Sequence, residues 1–235
     1  MAKDPRSGEI EIMPADPSDA APQGGSTRYA AGEDPAKRER ILDGAHRVFM
    51  RLGFHASSVN DITREAGVSK GTIYVYFTGK EDLFGALIER EKTKFTQSLR
   101  GILAETNDVE DGLERFARAF VRQITESDMI PAMRSVLGVI DRMPILSRRF
   151  FSAPGNAKTV LEEFIHRQIG QGNLVVPDPE LASRQFIELA TGTFFKLRLF
   201  NDLTGAPAPQ EVDRVILSAI AIFMRIYGPQ NAQQH

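Results

Sequence analysis

The run SKGTIYVYFTGKEDLF, Ser69 to Phe84, sets two tyrosines, two lysines and two glycines close together in a chain of formal charge −2. These residue types suit binding to a polyanion. Lys70 can donate to O6 and N7 of guanine, and the Thr72 hydroxyl suits a phosphate or a thymine methyl. Gly71 lets a backbone come close, and the phenols of Tyr74 and Tyr76 can donate to phosphates. Lys80, at the head of another helical pattern, adds an ammonium beside helix N–H groups that favour phosphate. Candidates for bond-breaking chemistry are poorer. Glu163 and His166 have the Glu-x-x-His spacing of di-iron bundles, but such sites need a second copy and further inward glutamates, and the chain has one copy. Between Gly71 and Gly79-Lys80 there are seven residues where a phosphate loop has four, and Glu81 stands where that loop needs Ser or Thr. There is no Gly-x-Ser-x-Gly, no His-Glu-x-x-His and no cysteine, and four histidines leave a triad little material. The expectation is a non-enzyme without cofactor or metal, a metal-dependent helical bundle being the alternative.

A length of 235 residues with 42 % hydrophobic and 26 % charged content implies a sizeable core. No run approaches the ~20 apolar residues of a membrane span, and the first residues lack the apolar stretch of a secretory signal. The expected location is therefore cytoplasmic and nucleoid-associated, with no membrane partner. The absence of cysteine rules out disulfides and thiolate metal sites and fits a reducing compartment. Charge is unevenly spread: residues 1–34 hold three Lys/Arg against seven Asp/Glu, and residues 35–80 hold eight against four. A basic segment inside an acidic chain is the pattern of a local polyanion-binding surface. It also disfavours a sequence-indifferent architectural DNA binder, which depends on many Lys/Arg contacts.

The elements that must position these residues read as helices throughout. Residues 1–34 are rich in Pro, Ala, Gly, Ser and Asp and are expected to be a disordered arm. Asp34 and Pro35 open a first helix with an apolar stripe at Ile41, Ala45, Val48, Phe49 and Leu52, ended by Gly53. Ser58 caps a second helix over 59–66, Gly67 closes it, and Ser69 caps a third over 70–76. Helix, glycine turn and short helix form a helix-turn-helix, whose second helix enters the major groove by its N-terminal end. In that third helix Ile73 and Phe77 should face the core, with Tyr74 and Tyr76 projecting away from it. A longer helix should follow over 81–103. Asn107 with Glu110 resembles a capping box opening 108–126. Further helices are expected over 129–137 and 144–171, with breaks near Asp141–Pro144 and Pro154-Gly155, and over 179–199 and 209–227. No alternating strand pattern or internal repeat is present.

The stretch GFHASSVNDITREAGVSKGTIYVYFTGKEDLF, Gly53 to Phe84, resembles the DNA-binding domain of the TetR/AcrR family of bacterial transcription regulators. Phe49, Gly53, Phe54, Ser58, Ile62, Ala66-Gly67-Val68-Ser69, Gly71-Thr72-Ile73-Tyr74, Tyr76-Phe77, Lys80 and Leu83 carry the resemblance. It implies DNA contacts from Ser58, Asn60, Lys70, Gly71, Thr72, Tyr74, Tyr76 and Lys80. Asn60 stands where arginine is common, Tyr76 where histidine is frequent, and Thr63 replaces a small alanine. The C-terminal part resembles the AcrR-like and AefR-like regulators loosely. The resemblance implies an all-α chain: an arm over 1–34, a three-helix DNA-binding domain over 35–80, a helical effector-binding and dimerisation domain over 81–228, and a tail over 229–235.

The implied function is a transcriptional repressor that binds a palindromic double-stranded operator as a homodimer and is released by a small, largely apolar or aromatic effector; an activator of the same family is the alternative. The apolar stripes of 179–199 and 209–227 each exceed what one partner needs, and Ala190 with Gly192 would permit close approach in a four-helix interface. An effector cavity would be lined by residues among Phe95, Phe116, Phe120, Met129, Met133, Phe150, Phe151, Phe164, Phe194 and Phe195. Its polar anchors would come from Arg134, Asp141, His166, Gln168 and Arg198.

Overall fold

The structure, a computed structural model, describes residues 30, 32–137 and 156–229. Most of the arm, the tail beyond Pro229, and Asp141, Phe150 and Phe151 lie outside the described residues. Every described element is a helix: α1 Pro35–Ala56, α2 Val59–Ala66, α3 Lys70–Tyr76, α4 Lys80–Ala104, α5 Val109–Glu126, α6 Met129–Leu137, α7 Ala157–Gly170, α8 Pro179–Leu199 and α9 Pro209–Tyr227.

The first three helices start and stop where local chemistry dictates. Asp34 Oδ1 accepts from Lys37 N at 3.1 Å, which satisfies one donor of the first turn of α1. Gly53, at φ 76° and ψ 164°, breaks α1. A last turn follows and swings Phe54 back into the core. There Phe49, Phe54 and Phe84 meet, with ring centroids 4.8–5.7 Å apart. Ser58 and Asp61 form a reciprocal capping box on α2, Ser58 Oγ accepting from Asp61 N at 3.2 Å and Asp61 Oδ2 accepting from Ser58 N at 3.0 Å. Gly67, in the left-handed region at φ 64°, closes α2. Ser69 Oγ then accepts from Thr72 N at 3.0 Å to open α3. Gly44 lets α1 and α2 approach closely, since a Cβ there would lie 2.7 Å from Ala66 Cβ.

Two principal cores result. Ile41, Leu42, Val48, Ile62, Ile73 and Phe77 join Leu83, Phe84, Leu87 and Ile88 in the smaller one. Leu99 and Leu103, farther along α4, belong instead to the larger core, with Leu113, Phe116, Phe164, Phe186, Phe194 and Phe223. Thus α4 runs from one core to the other. Arg90 fastens it to α1 midway: its guanidinium, 9 % exposed, lies 2.7 Å from Asp43 and 3.1 Å from Glu39. Burial opposes that charge, but the hydrogen bonds it donates to Asp43 and Glu39 outweigh burial and hold the guanidinium above its ordinary pKa.

The cap of α5 differs from the expectation by one residue. Asp108 rather than Asn107 is the N-cap, its Oδ1 accepting from Asp111 N at 2.7 Å, and Thr106 Oγ1 accepts from Asp108 N at 3.1 Å to hold it there. Asn156 caps α7 by accepting from Thr159 N at 3.0 Å. Gly112 gives Phe164 its place, since a Cβ on Gly112 would lie 2.5 Å from Phe164 Cζ.

Candidate nucleic-acid interface and effector cavity

The N-terminal turn of α3 is presented outward. Lys70 and Gly71 are exposed, and Tyr74, one turn on from Lys70, is 51 % exposed. Ile73 and Phe77 are buried, which fixes the rotation of the helix and leaves Lys70, Gly71 and Tyr74 facing outward. Thr72 is half-buried, its hydroxyl 2.8 Å from Ser69 Oγ in the cap, so that hydroxyl is already oriented within the turn. Tyr76 departs from the expectation. It is half-buried and packs against the small core beside Phe77, because it sits at the last turn of a seven-residue helix, where the chain bends back toward α4.

At the start of α2, the N-cap Ser58 and Asn60 are exposed. Ser58 is held by its capping box, and the Asn60 carbonyl accepts from Thr63 Oγ1 at 2.7 Å. That bond gives Thr63 a local role in α2. The Asp61 carboxyl is held below its ordinary pKa chiefly by the hydrogen bond from the Ser58 side chain, with the Ser58 backbone N–H and Arg64 adding to it. Glu65 is likewise lowered by hydrogen bonds from Arg47 and then Arg51, which fasten α2 to α1.

Lys80 stands apart from the other expected contacts. Its ammonium donates to Phe54 O at 2.8 Å and Ser57 O at 3.0 Å and lies 4.5 Å from the Phe54 ring centroid. It satisfies the Ser57 carbonyl, shares the Phe54 carbonyl with the Ser57 hydroxyl, and pins Phe54 in place at the end of α1. Sequence reasoning missed this, though the Gly53 break five residues before Ser58 signalled a helix end with unpaired carbonyls. Arg40, also missed, reaches Ala66 O and Gly67 O at 3.5 Å each, at the C-terminus of α2.

A cavity of about 480 Å³ lies against α4. Of the expected lining residues it brings together Phe95, Phe120 and Met129, the two rings meeting edge-on at 5.4 Å. The others lie elsewhere. Phe116, Phe164 and Phe194 are at most 1 % exposed in the larger core, whose close packing leaves them no free face. Met133 is buried with Ile124 and Ile130, and Phe195 packs against that same cluster. Arg134 donates to Asn201 Oδ1 at 3.2 Å, while His166 faces solvent. Gln168 is buried and accepts from Asn173 Nδ2 at 2.8 Å, and Arg198 donates to Leu203 O at 3.1 Å.

In their place the wall includes Met50 of α1, Leu87 and Ile88 of α4, Ala132 of α6 and Ile187 of α8. Leu87 and Ile88 also belong to the small core beneath α3. His46 Nε2 lies 3.1 Å from Asp128 Oδ2 at the cavity, linking α1 to the residue before α6. These lining residues come from four helices far apart in sequence, which no local pattern announces.

Glu163, of the single Glu-x-x-His pair, is bound to Arg100 at 3.1 Å through both carboxylate oxygens. Among the described residues no group of three or more His, Cys, Asp or Glu could hold a metal ion. No helix among them is long and apolar enough to cross a membrane. Along α8 and α9, Leu181, Leu189, Leu197, Leu217, Ile222 and Ile226 are 37–57 % exposed, at helical spacing. Ala190 is turned into the larger core and is not available for the close approach expected of it, whereas Gly192 has only the carboxylate of the exposed Glu188, one turn earlier, against it.

Residues 41–87 match the family model described as bacterial regulatory proteins, tetR family, and residues 111–229 match that of the AefR-like transcriptional repressor, C-terminal domain. The chain belongs to the TetR family. It is therefore an all-helical transcription regulator with an N-terminal helix-turn-helix, in a family of DNA-binding proteins rather than enzymes. The activator FasR of Mycolicibacterium smegmatis is 31 % identical over 99 residues, which are 42 % of this chain and 45 % of that protein. The match thus spans less than half of FasR. A TetR-family regulator from Mesorhizobium loti superposes with a TM-score of 0.75 at 24 % identity, over 82 % of this chain and 97 % of the other. The flavonoid-responsive regulator FrrA superposes with a TM-score of 0.66 at 26 % identity, over 83 % and 98 %.

Proposed function

We propose that this TetR-family regulator is a ligand-responsive repressor that binds a palindromic operator as a homodimer and is released by a small, largely apolar or aromatic effector. The observation that carries the reading is α4. Its Leu87 and Ile88 line the cavity on one side and the small core that supports α3 on the other. A ligand that displaces these side chains acts on the seat of the recognition helix, which is a coupling between two sites rather than a distance alone.

Lys70, Gly71, Thr72 and Tyr74 are the groove-facing set, with Ser58 and Asn60 beside them. Tyr76 and Lys80 act mainly as supports, each leaving at most one polar group for a phosphate. The domain division follows the same logic: residues 35–80 read DNA, and residues 81–228 bind effector and partner. The exposed leucine and isoleucine stripe of α8 and α9 is the proposed dimer face, because burial of such a stripe is favourable and a palindrome needs two recognition helices about one DNA turn apart. Phe95, Phe120, Met129 and Met50 give the cavity its apolar and aromatic character. The flavonoid response named for FrrA and the AefR-like repressor match support an aromatic ligand and repression respectively.

The test is linkage. A duplex enriched by the protein from a random pool supplies the operator, and a panel of flavonoids and other apolar aromatics, screened by thermal shift, supplies a ligand. That ligand should weaken operator binding by a factor of about 5–150, and the operator should weaken ligand binding by the same factor. Equal ligand affinity for the free and DNA-bound protein would sink the reading.

A further inference from the structure

The residues just before α1 lie on the recognition helix. Gly32, at φ +90°, sits so close to α3 that a Cβ on it would fall 3.2 Å from the Val75 carbonyl oxygen and 3.3 Å from Val75 Cγ1. Glu33 N donates to Ala30 O at 3.1 Å, turning the chain there. Val75 is 51 % exposed, whereas Ile73 and Phe77, two residues to either side, are 0 % and 3 % exposed. At ~100° per residue, Val75 lies about 160–200° from both and points directly outward, on the same face as Gly71 one turn earlier. Arg38 of α1, over the Phe77 ring at 5.4 Å, keeps the start of α1 beside the end of α3. The chain preceding α1 therefore enters the fold across the face that reads DNA.

What precedes it is acidic. Residues 7–27 contain Glu9, Glu11, Asp16 and Asp19 and no Lys or Arg, whereas residues 35–80 carry an excess of Lys and Arg. Lys70 is exposed at the N-terminal end of the outward face and forms no ion pair among the described residues. The rise from Val75 back to Gly71 is only ~6 Å. Asp19 is thirteen residues from Gly32, and a chain can extend by at most ~3.3–3.6 Å per residue, so every one of these carboxylates can reach the α3 face.

We infer that the acidic segment over residues 7–27 docks in cis on the outward face of α3 and competes with DNA phosphates for it. This rests on the DNA-binding reading of α3. Tethering makes the competitor effectively concentrated, so each duplex must displace it, and weakly bound non-specific DNA is excluded first.

The test uses the full chain. In one arm, Glu9→Gln, Glu11→Gln, Asp16→Asn and Asp19→Asn are combined, and affinity is measured by fluorescence anisotropy for the enriched duplex and for a scrambled one. Binding to both should tighten about threefold to tenfold at low salt, with the gain shrinking as salt screens the contact. Gly32→Val, which cannot keep the +90° turn against Val75, should tighten binding in the same direction with charge unchanged.

In the second arm, Ser18→Cys supplies the only thiol of the chain for a nitroxide label. Amide signals of residues 70–75 should broaden without DNA and recover when the duplex is added. Unchanged affinity in both variants, or unbroadened signals, overturns the inference. Weaker binding after Arg28→Ala, with no gain from neutralisation, overturns it in favour of an arm that contacts DNA. If the wild type enriches no duplex at all, the DNA-binding reading itself fails; if it does and only the variants are inert, the failure belongs to this inference alone.

Discussion

In the small core, Phe49, Phe54 and Phe84 close on one another, each at most 4 % exposed. At the cavity, Phe95 and Phe120 meet edge-on and face about 480 Å³ of open volume. The first arrangement fixes α3 in one pose, which base readout requires, because a misplaced donor loses its hydrogen bond. The second leaves room for a guest, and its walls can answer that guest by moving. Phe84, Leu87 and Ile88 belong to both, so the rigid region and the open one share a boundary.

The largest test of that contrast is Phe84→Ala. The ring is 1 % exposed and touches both Phe49 and Phe54, so its loss should cost about 3–5 kcal/mol in urea unfolding and abolish DNA binding. Both rings border the cavity, but Phe120 is half-buried where Phe84 is fully buried, so Phe120→Ala should cost less. The two glycine seams sharpen the contrast next. Gly44→Ala forces a Cβ to 2.7–2.9 Å from the Ala66 Cβ, Cα and N, atoms that move only with the backbone, and should cost ~1–3 kcal/mol. Gly112→Ala meets the end of the Phe164 side chain rather than backbone, and should cost less.

Lys80→Met keeps the stem over Phe54 but strips the Ser57 carbonyl of its donor and leaves the Phe54 carbonyl to the Ser57 hydroxyl alone, for an expected loss of ~1–3 kcal/mol. The salt dependence of DNA binding, measured under conditions where the variant stays folded, should change little. A slope reduced by about one with stability intact would instead mark a phosphate contact. The smallest effect is at the α2 cap, where Ser58→Ala should cost ~0.5–2 kcal/mol. Because the folded-state pKa of Asp61 is depressed, its contribution is present above the unfolded Asp value and is lost as pH falls through the folded one. Acid unfolding of Ser58→Ala should therefore show a shallower loss across that window than the wild type.

The same contrast explains what could be read in advance. Asp34, Ser58, Gly67 and Ser69 act within four residues of their own positions, so the elements of the helix-turn-helix were legible to the residue. Asn107 was wrong by one because Thr106, Asp108 and Asp111 compete for the same turn, and local pattern does not rank them. Lys80 was legible as a cation but not as a clamp, since its carbonyl partners lie more than twenty residues away. The cavity fared worst: phenylalanines at core spacing look alike in sequence, and only assembly of α4 through α8 separates Phe95 and Phe120 from the packed Phe116, Phe164 and Phe194.

The most direct test is duplex enrichment from a random pool with the wild type and with Lys70→Ala, read position by position. If the N-terminal turn of α3 reads base edges, the variant keeps the motif but loses ~1–3 kcal/mol of preference at one base pair in each half-site. An unchanged preference at every position would show that α3 does not read bases through Lys70 and would contradict the account.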